Sequence, residues 1–132
     1  MRNRGLVFSC FLLTTTSCSV PYEIEPVSLP TVWVYKYRGD VQCGTQGIPL
    51  EVMEKTLTEK FIEVFSSCRS GDGLGRPAVC GLAGGSINAY EIDADRLPEA
   101  INLGFAEVSK LPGYKGRSVE KILGEDCSQR QS

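Results

Sequence analysis

The hydrophobic positions of residues 31–38, TVWVYKYR, are nearly continuous and fall on both sides of an extended chain. β-Branched and aromatic residues fill this segment and favour an extended strand. Its two sides carry different residues, Val32, Val34 and Lys36 on one and Trp33, Tyr35 and Tyr37 on the other. Because both sides are apolar over most of the length, we expect this strand to lie in the interior of a sheet.

The period changes to that of a helix in residues 47–60, where Leu50, Met53 and Leu57 recur every three to four positions. This spacing places the three side chains on one face, while charged residues occupy the opposite face. We therefore predict an amphipathic helix in this segment. A second strand is predicted directly after it, at residues 61–66.

The remaining elements follow a long Gly-rich loop at residues 67–85. A third strand is predicted at residues 86–92. Asp95 then suits the N-cap of a short helix, and Gly104 suits the position just after its end. Residues 105–111 are predicted as a fourth strand.

The predicted order is β-α-β-β-α-β. Two right-handed crossovers, with both helices on one face of an antiparallel sheet, give a small α+β domain of the ferredoxin-like split βαβ type. In this arrangement the first and third strands are antiparallel neighbours. A less regular α+β sandwich, or a three-stranded sheet that lacks the fourth strand, would also fit the pattern.

Four cysteines follow the first eighteen residues, namely Cys43, Cys68, Cys80 and Cys127. No CxxC pair occurs and the chain contains no histidine, so a metal site is a poor interpretation. We predict two disulfides instead. If the first and third strands are neighbours, Cys43 lies close to Cys80, and Cys68 is left to pair with Cys127.

The first eighteen residues have the layout of an export signal. Arg2 and Arg4 are followed by an apolar run at residues 6–13 and by small hydroxyl residues before Cys18. The run is too short to span a bilayer. The segment resembles the signal peptides of bacterial lipoproteins, and this resemblance implies that Cys18 becomes the lipidated (palmitate-bearing) first residue of the mature chain. Ser19 is not aspartate, which implies the outer membrane, facing the periplasm.

These features divide the chain into a signal peptide at 1–17, an extended tether at 18–30, an α+β domain at 31–116 and a tail at 117–132. Three prolines in the tether disfavour regular structure. Within the tail, one helical turn is predicted at residues 118–123. The leader carries two basic residues and no acidic ones, so its removal changes the net charge from −2 to −4. This charge argues against nucleic acid as a partner, and membrane contact would come through the lipid anchor.

Candidate chemistry is sparse. Without histidine, neither a Cys-His nor a Ser-His relay can form, so we predict no catalysis and no cofactor. The Gly-rich loop is the better candidate for recognition, since loops on a rigid scaffold commonly carry binding residues. We predict that Asp72, Leu74 and Arg76 contact a partner there. The alternative site is the aromatic side of the first strand, at Trp33 and Tyr35.

The sequence therefore predicts a lipid-anchored periplasmic domain of the cell envelope that acts through contacts with an envelope protein. The alternative is a secreted inhibitor or ligand-binding module without lipid. The two differ at Cys18, which is modified in the first and incidental in the second.

Overall fold

The computed structural model describes Ser19, residues 21–124 and Cys127. The predicted leader and Cys18 lie outside the described residues. The strands are β1 (Thr31–Tyr37), β2 (Val64–Gly71), β3 (Ser86–Asp93) and β4 (Ala106–Glu107). The helices are α1 (Leu50–Thr58), α2 (Leu97–Asn102) and α3 (Val119–Leu123). None of the helices in this part of the chain is both long and apolar enough to cross a membrane.

The strands form one antiparallel sheet in the order β2-β3-β1-β4. β1 pairs with β3 along its whole length, from Thr31 opposite Asp93 to Tyr37 opposite Ile87. On its other side β1 pairs with β4. β1 is thus an interior strand of the sheet, as its two apolar sides predict. Its antiparallel pairing with β3 is also the one expected. The molecule is a small α+β domain with a four-stranded antiparallel sheet and two disulfides.

One face of the sheet is covered by α1 and α2. Leu50, Met53 and Leu57 of α1 are buried against Val34 of β1 and the apolar residues of β3, as the helical spacing predicts. Tyr90 of β3 adds a polar connection, because its hydroxyl donates a 2.7 Å hydrogen bond to the carbonyl oxygen of Leu50. Buried apolar contact and a satisfied hydroxyl together fix α1 on the sheet.

The other face is covered by the C-terminal part of the chain. Tyr35 of β1 packs there in a core cluster with Val108, Leu111, Ile122 and Leu123. Residues 117–132 were expected to form a tail, but α3 buries two of its side chains in this cluster. The sheet requires this cover, because α1 and α2 occupy one face only and β1 is apolar on both. The core therefore extends beyond residue 116.

Two strands differ from the expected boundaries. β2 runs to Gly71, which places Cys68 in a strand and shortens the Gly-rich loop. β4 contains only two residues, because the chain turns into a short 3₁₀ helix at Val108–Lys110 instead of continuing as a strand to residue 111. In this position Val108 is fully buried in the second core cluster.

The second helix also begins differently. Asp95 does not cap it but lies inside a 3₁₀ turn, Ala94–Arg96, and α2 starts at Leu97. Its end is as expected: Gly104 follows the helix with a φ of +90°, the left-handed conformation that glycine adopts readily after a helix.

Two disulfides join Cys43 to Cys80, with Cα atoms 5.1 Å apart, and Cys68 to Cys127, with Cα atoms 5.5 Å apart. These are the two pairings expected from the strand order. The second bridge fastens the C-terminal segment to β2, next to the core that α3 completes. At the other end of the domain, residues 21–30 are exposed and without regular secondary structure.

Candidate functional site

The loop between β2 and β3, residues 72–85, is organised around one buried carboxylate. Asp72 is only 2% exposed. Its oxygens accept hydrogen bonds from the Tyr37 hydroxyl and the Leu74 amide, both at 3.1 Å, and form an ion pair with the Arg76 guanidinium. Asp72 was predicted to contact a partner. It instead lies inside the domain, where it orders the loop.

The ionisation states in this cluster are fixed at neutral pH. Burial opposes the charged form of Asp72, but the hydrogen bonds from Leu74, Arg76 and Tyr37 outweigh it and hold the pKa of Asp72 below its ordinary value. Burial and the hydrogen bond to Asp72 raise the pKa of Tyr37. At neutral pH Asp72 is therefore charged and Tyr37 neutral, which maintains the ion pair and the hydrogen bonds that order the loop.

The far end of the loop is held by residues 40–45, which follow β1. Gln42 donates from its side-chain amide to the Pro77 carbonyl and accepts from the Val79 amide, both at 3.1 Å. The Cys43–Cys80 bridge lies beside these bonds. The loop is therefore tied covalently and by hydrogen bonds at this end.

Two glycines permit the close packing of the loop. A Cβ atom at Gly84 would overlap the carboxylate of Asp40, which accepts two hydrogen bonds from Ser86 at the start of β3. A Cβ atom at Gly73 would overlap the ring of Tyr114, and Gly73 has a φ of +75°. Position 73 therefore requires glycine, because glycine alone fits against the ring and also adopts the left-handed backbone readily.

Three apolar side chains remain on the surface of this braced loop. Leu74 is 45% exposed, Val79 50% and Leu82 43%. Arg76 is half-buried, and its guanidinium forms the ion pair with Asp72. Of the three predicted contact residues, the structure leaves Leu74 best exposed, and it adds two that the sequence analysis did not single out. In the sequence, Val79 and Leu82 were marked only by being apolar residues in a Gly-rich loop.

The aromatic side of β1, the alternative site, is mostly covered. Tyr35 is buried and the Tyr37 hydroxyl is bound to Asp72. Trp33 lines a groove of about 530 Å³ whose other walls include Val119 and Leu123 of α3. The C-terminal segment thus covers Tyr35, whereas Trp33 remains accessible through the groove beside α3.

Phe61 is a further candidate that the sequence analysis missed. It has a φ of +58° and is 89% exposed. The amides of Phe61 and Ile62 donate to the carbonyls of Thr58 and Leu57, which is the Schellman pattern that ends α1. Glycine usually occupies this left-handed position, and a bulky residue there is an outlier. The sequence carried one signal, the absence of glycine after the helix.

The turn that carries Phe61 is held in place by Arg96. Its guanidinium donates to the carbonyls of Phe61 at 3.1 Å and of Lys60 at 3.2 Å, and it is oriented by an ion pair with Glu99. The backbone of Phe61 is therefore fixed while its ring lies in solvent. Strained residues that the surroundings hold in place occur often at functional sites.

Within residues 21–124 and Cys127, no cluster of three or more His, Cys, Asp or Glu residues could hold a metal ion. Cys43, Cys68, Cys80 and Cys127 are all joined in disulfides. The described residues thus define a disulfide-bonded α+β domain with two rigid, apolar surface features, the loop and Phe61. The chain matches no known family model, no curated protein and no solved structure.

Proposed function

We propose that this protein is an exported, lipid-anchored domain of the cell envelope that acts by contacting another protein and catalyses no reaction. One observation carries the proposal. Several apolar side chains are exposed to solvent while polar groups hold their backbone in place. Asp72 holds Leu74, Gln42 holds Val79 and Leu82, and Arg96 holds Phe61. An apolar residue on a rigid backbone loses little conformational entropy on binding, so it suits a protein contact.

Compartment and anchoring rest on other features. Two disulfides are typical of small exported domains. The leader, with its charged start, short apolar run and Cys18, supports export and lipidation at the outer membrane. Exposed residues 21–30 would then serve as the tether that separates the domain from the membrane surface.

We also propose that the sheet is of the ferredoxin-like split βαβ type. The pairing of β1 with β3 on one side and β4 on the other supports this assignment. So does the presence of α1 and α2 in one core cluster on the same face. The shortness of β4 is the main departure from a regular example.

A photoreactive amino acid placed at Leu74 or Phe61 in the full chain tests the proposed contact. We expect covalent capture of one envelope protein from living cells, identified by mass spectrometry. The matched control is the same reagent at Val52, an exposed apolar residue on α1. Equal capture at all three positions, or none at the first two, would contradict the proposal.

A further inference from the structure

Among residues 21–124 and Cys127, β2 pairs only with β3 and leaves one long edge of the sheet open, whereas the opposite edge, β4, has only two residues. Edge strands present backbone groups that can pair with another strand. The Asp72 amide donates to the Gly85 carbonyl at 3.0 Å, in register with the β2–β3 ladder. Because inward and outward residues alternate in an antiparallel ladder, Ser67 and Arg69 direct their N–H and C=O groups away from β3.

We propose that β2 pairs antiparallel with β2 of a second copy of this chain, with the two Cys68 residues opposite each other. Ser67 of each copy then pairs with Arg69 of the other, which gives about four backbone hydrogen bonds. Centring the pair on Arg69 would instead place two positive charges opposite each other. Because only one edge is long, the association closes as a dimer and does not propagate.

The side chains favour the same register. Arg69 lies opposite Asn88, whose side chain donates to the Ile48 carbonyl just before α1. Ser67 lies opposite Tyr90, whose hydroxyl donates to the first residue of α1. Residues directly opposite each other share a face of the sheet, so Arg69 and Ser67 are both on the α1 side. In the dimer, Arg69 therefore lies over Ser67 of the second copy.

A surface depression beside Ser67 of the second copy accepts the Arg69 side chain in this register. It has a volume of about 260 Å³ and lies between α1 and the open edge, with Glu54, Val64, Phe65, Ser66 and Ser67 as its walls. The carboxylate of Glu54 is complementary to the guanidinium of Arg69, and neither forms an ion pair with another described residue. By symmetry the contact occurs twice. The bulge between Val64 and Ser66 interrupts the regular ladder, so the part of β2 after the bulge is the part that can pair with a second strand in register.

Charge reversal tests the dimer. We expect the full chain, in density-matched detergent, to sediment at twice the monomer mass across a concentration series. Arg69→Glu or Glu54→Arg should each weaken dimerisation by about tenfold or more, because two ion pairs become two like-charge contacts. The double variant Arg69→Glu with Glu54→Arg should restore the dimer, which separates loss of contact from loss of folding.

Hydrogen exchange reports on the backbone in the same samples. The amides of Ser67 and Arg69 should exchange more slowly as the concentration of the original chain rises, and not in either single variant. Lys110→Glu, at an exposed residue near β4, is the charge-reversal control and should remain dimeric. A monomer throughout the series, dimers unaffected by the single reversals, or a folded double variant that stays monomeric would overturn the proposal.

Discussion

Replacing Phe61 with glycine should make the domain more stable. A left-handed conformation costs a residue with a Cβ atom about 1–2 kcal/mol, and Phe61 has a φ of +58°. Glycine removes that cost but loses about 0.5–1 kcal/mol more backbone entropy on folding. Burial of a whole Phe side chain contributes about 1.5–3 kcal/mol, of which a ring 89% exposed retains only a small part. We therefore expect a net stabilisation of about 0.5 kcal/mol.

The assay is thermal and urea unfolding of the original chain, Phe61→Gly and Phe61→Ala. For a domain of this size, 0.5 kcal/mol corresponds to a rise in Tm of about 2–4 °C. Phe61→Ala is the control because it removes the ring but keeps the Cβ atom in the left-handed backbone, so it should not gain stability. Both variants should weaken capture of the envelope protein by a photoreactive residue at Leu74. If glycine proves less stable than alanine, the left-handed backbone does not carry the cost that we assign to it, and our account of Phe61 is refuted.

Three further predictions concern the anchor and the loop. Cys18→Ala should release the chain from the membrane fraction and leave the N-terminus without acyl groups by mass spectrometry; unchanged membrane association with normal cleavage would argue against lipidation. Leu74→Ser combined with Val79→Ser should abolish partner capture with little change in Tm, since both side chains are about half exposed, and persistent capture would exclude the loop as the contact. The pKa of Asp72 is lower in the folded than in the unfolded chain, so its stabilising effect should be complete above a pH of about 4 and decline as the pH falls through the folded value. In urea unfolding at several pH values Asp72→Asn should lack this component, and an unchanged pH profile would contradict the role of the carboxylate.

Local patterns were sufficient to predict the central part of the fold. The apolar residues on both sides of β1 and the helical spacing of Leu50, Met53 and Leu57 are properties of short segments. β1 lies inside the sheet with both faces covered, and α1 buries the three residues that its period selects. The pairing of β1 with β3 then followed from the order of elements. That pairing brings together the ends of the chain segments that hold Cys43 and Cys80, so the first bridge could be inferred without any knowledge of side-chain contacts.

The helical turn predicted at residues 118–123 is present as α3, but its place in the core could not be inferred in this way. Residues 119–123 form only five residues of helix, too few to be marked by a strong period. What places Ile122 and Leu123 in the core is the need to cover the second face of a sheet whose central strand is apolar on both sides. The composition of β1 already implied two covered faces, but the sequence did not show which segment would cover the second.

Asp72 shows why a site residue can be misread from sequence. In a Gly-rich loop a single aspartate is normally solvated, and it was predicted to face a partner. The groups that bury it come from β1, from its own loop and from the C-terminal segment that packs on Gly73. No local pattern records such a convergence of distant residues. Yet the buried carboxylate also holds the backbone at Leu74, as Gln42 holds it at Val79, while both side chains stay exposed. The buried Asp72 thus supports the proposed contact through the backbone that carries Leu74.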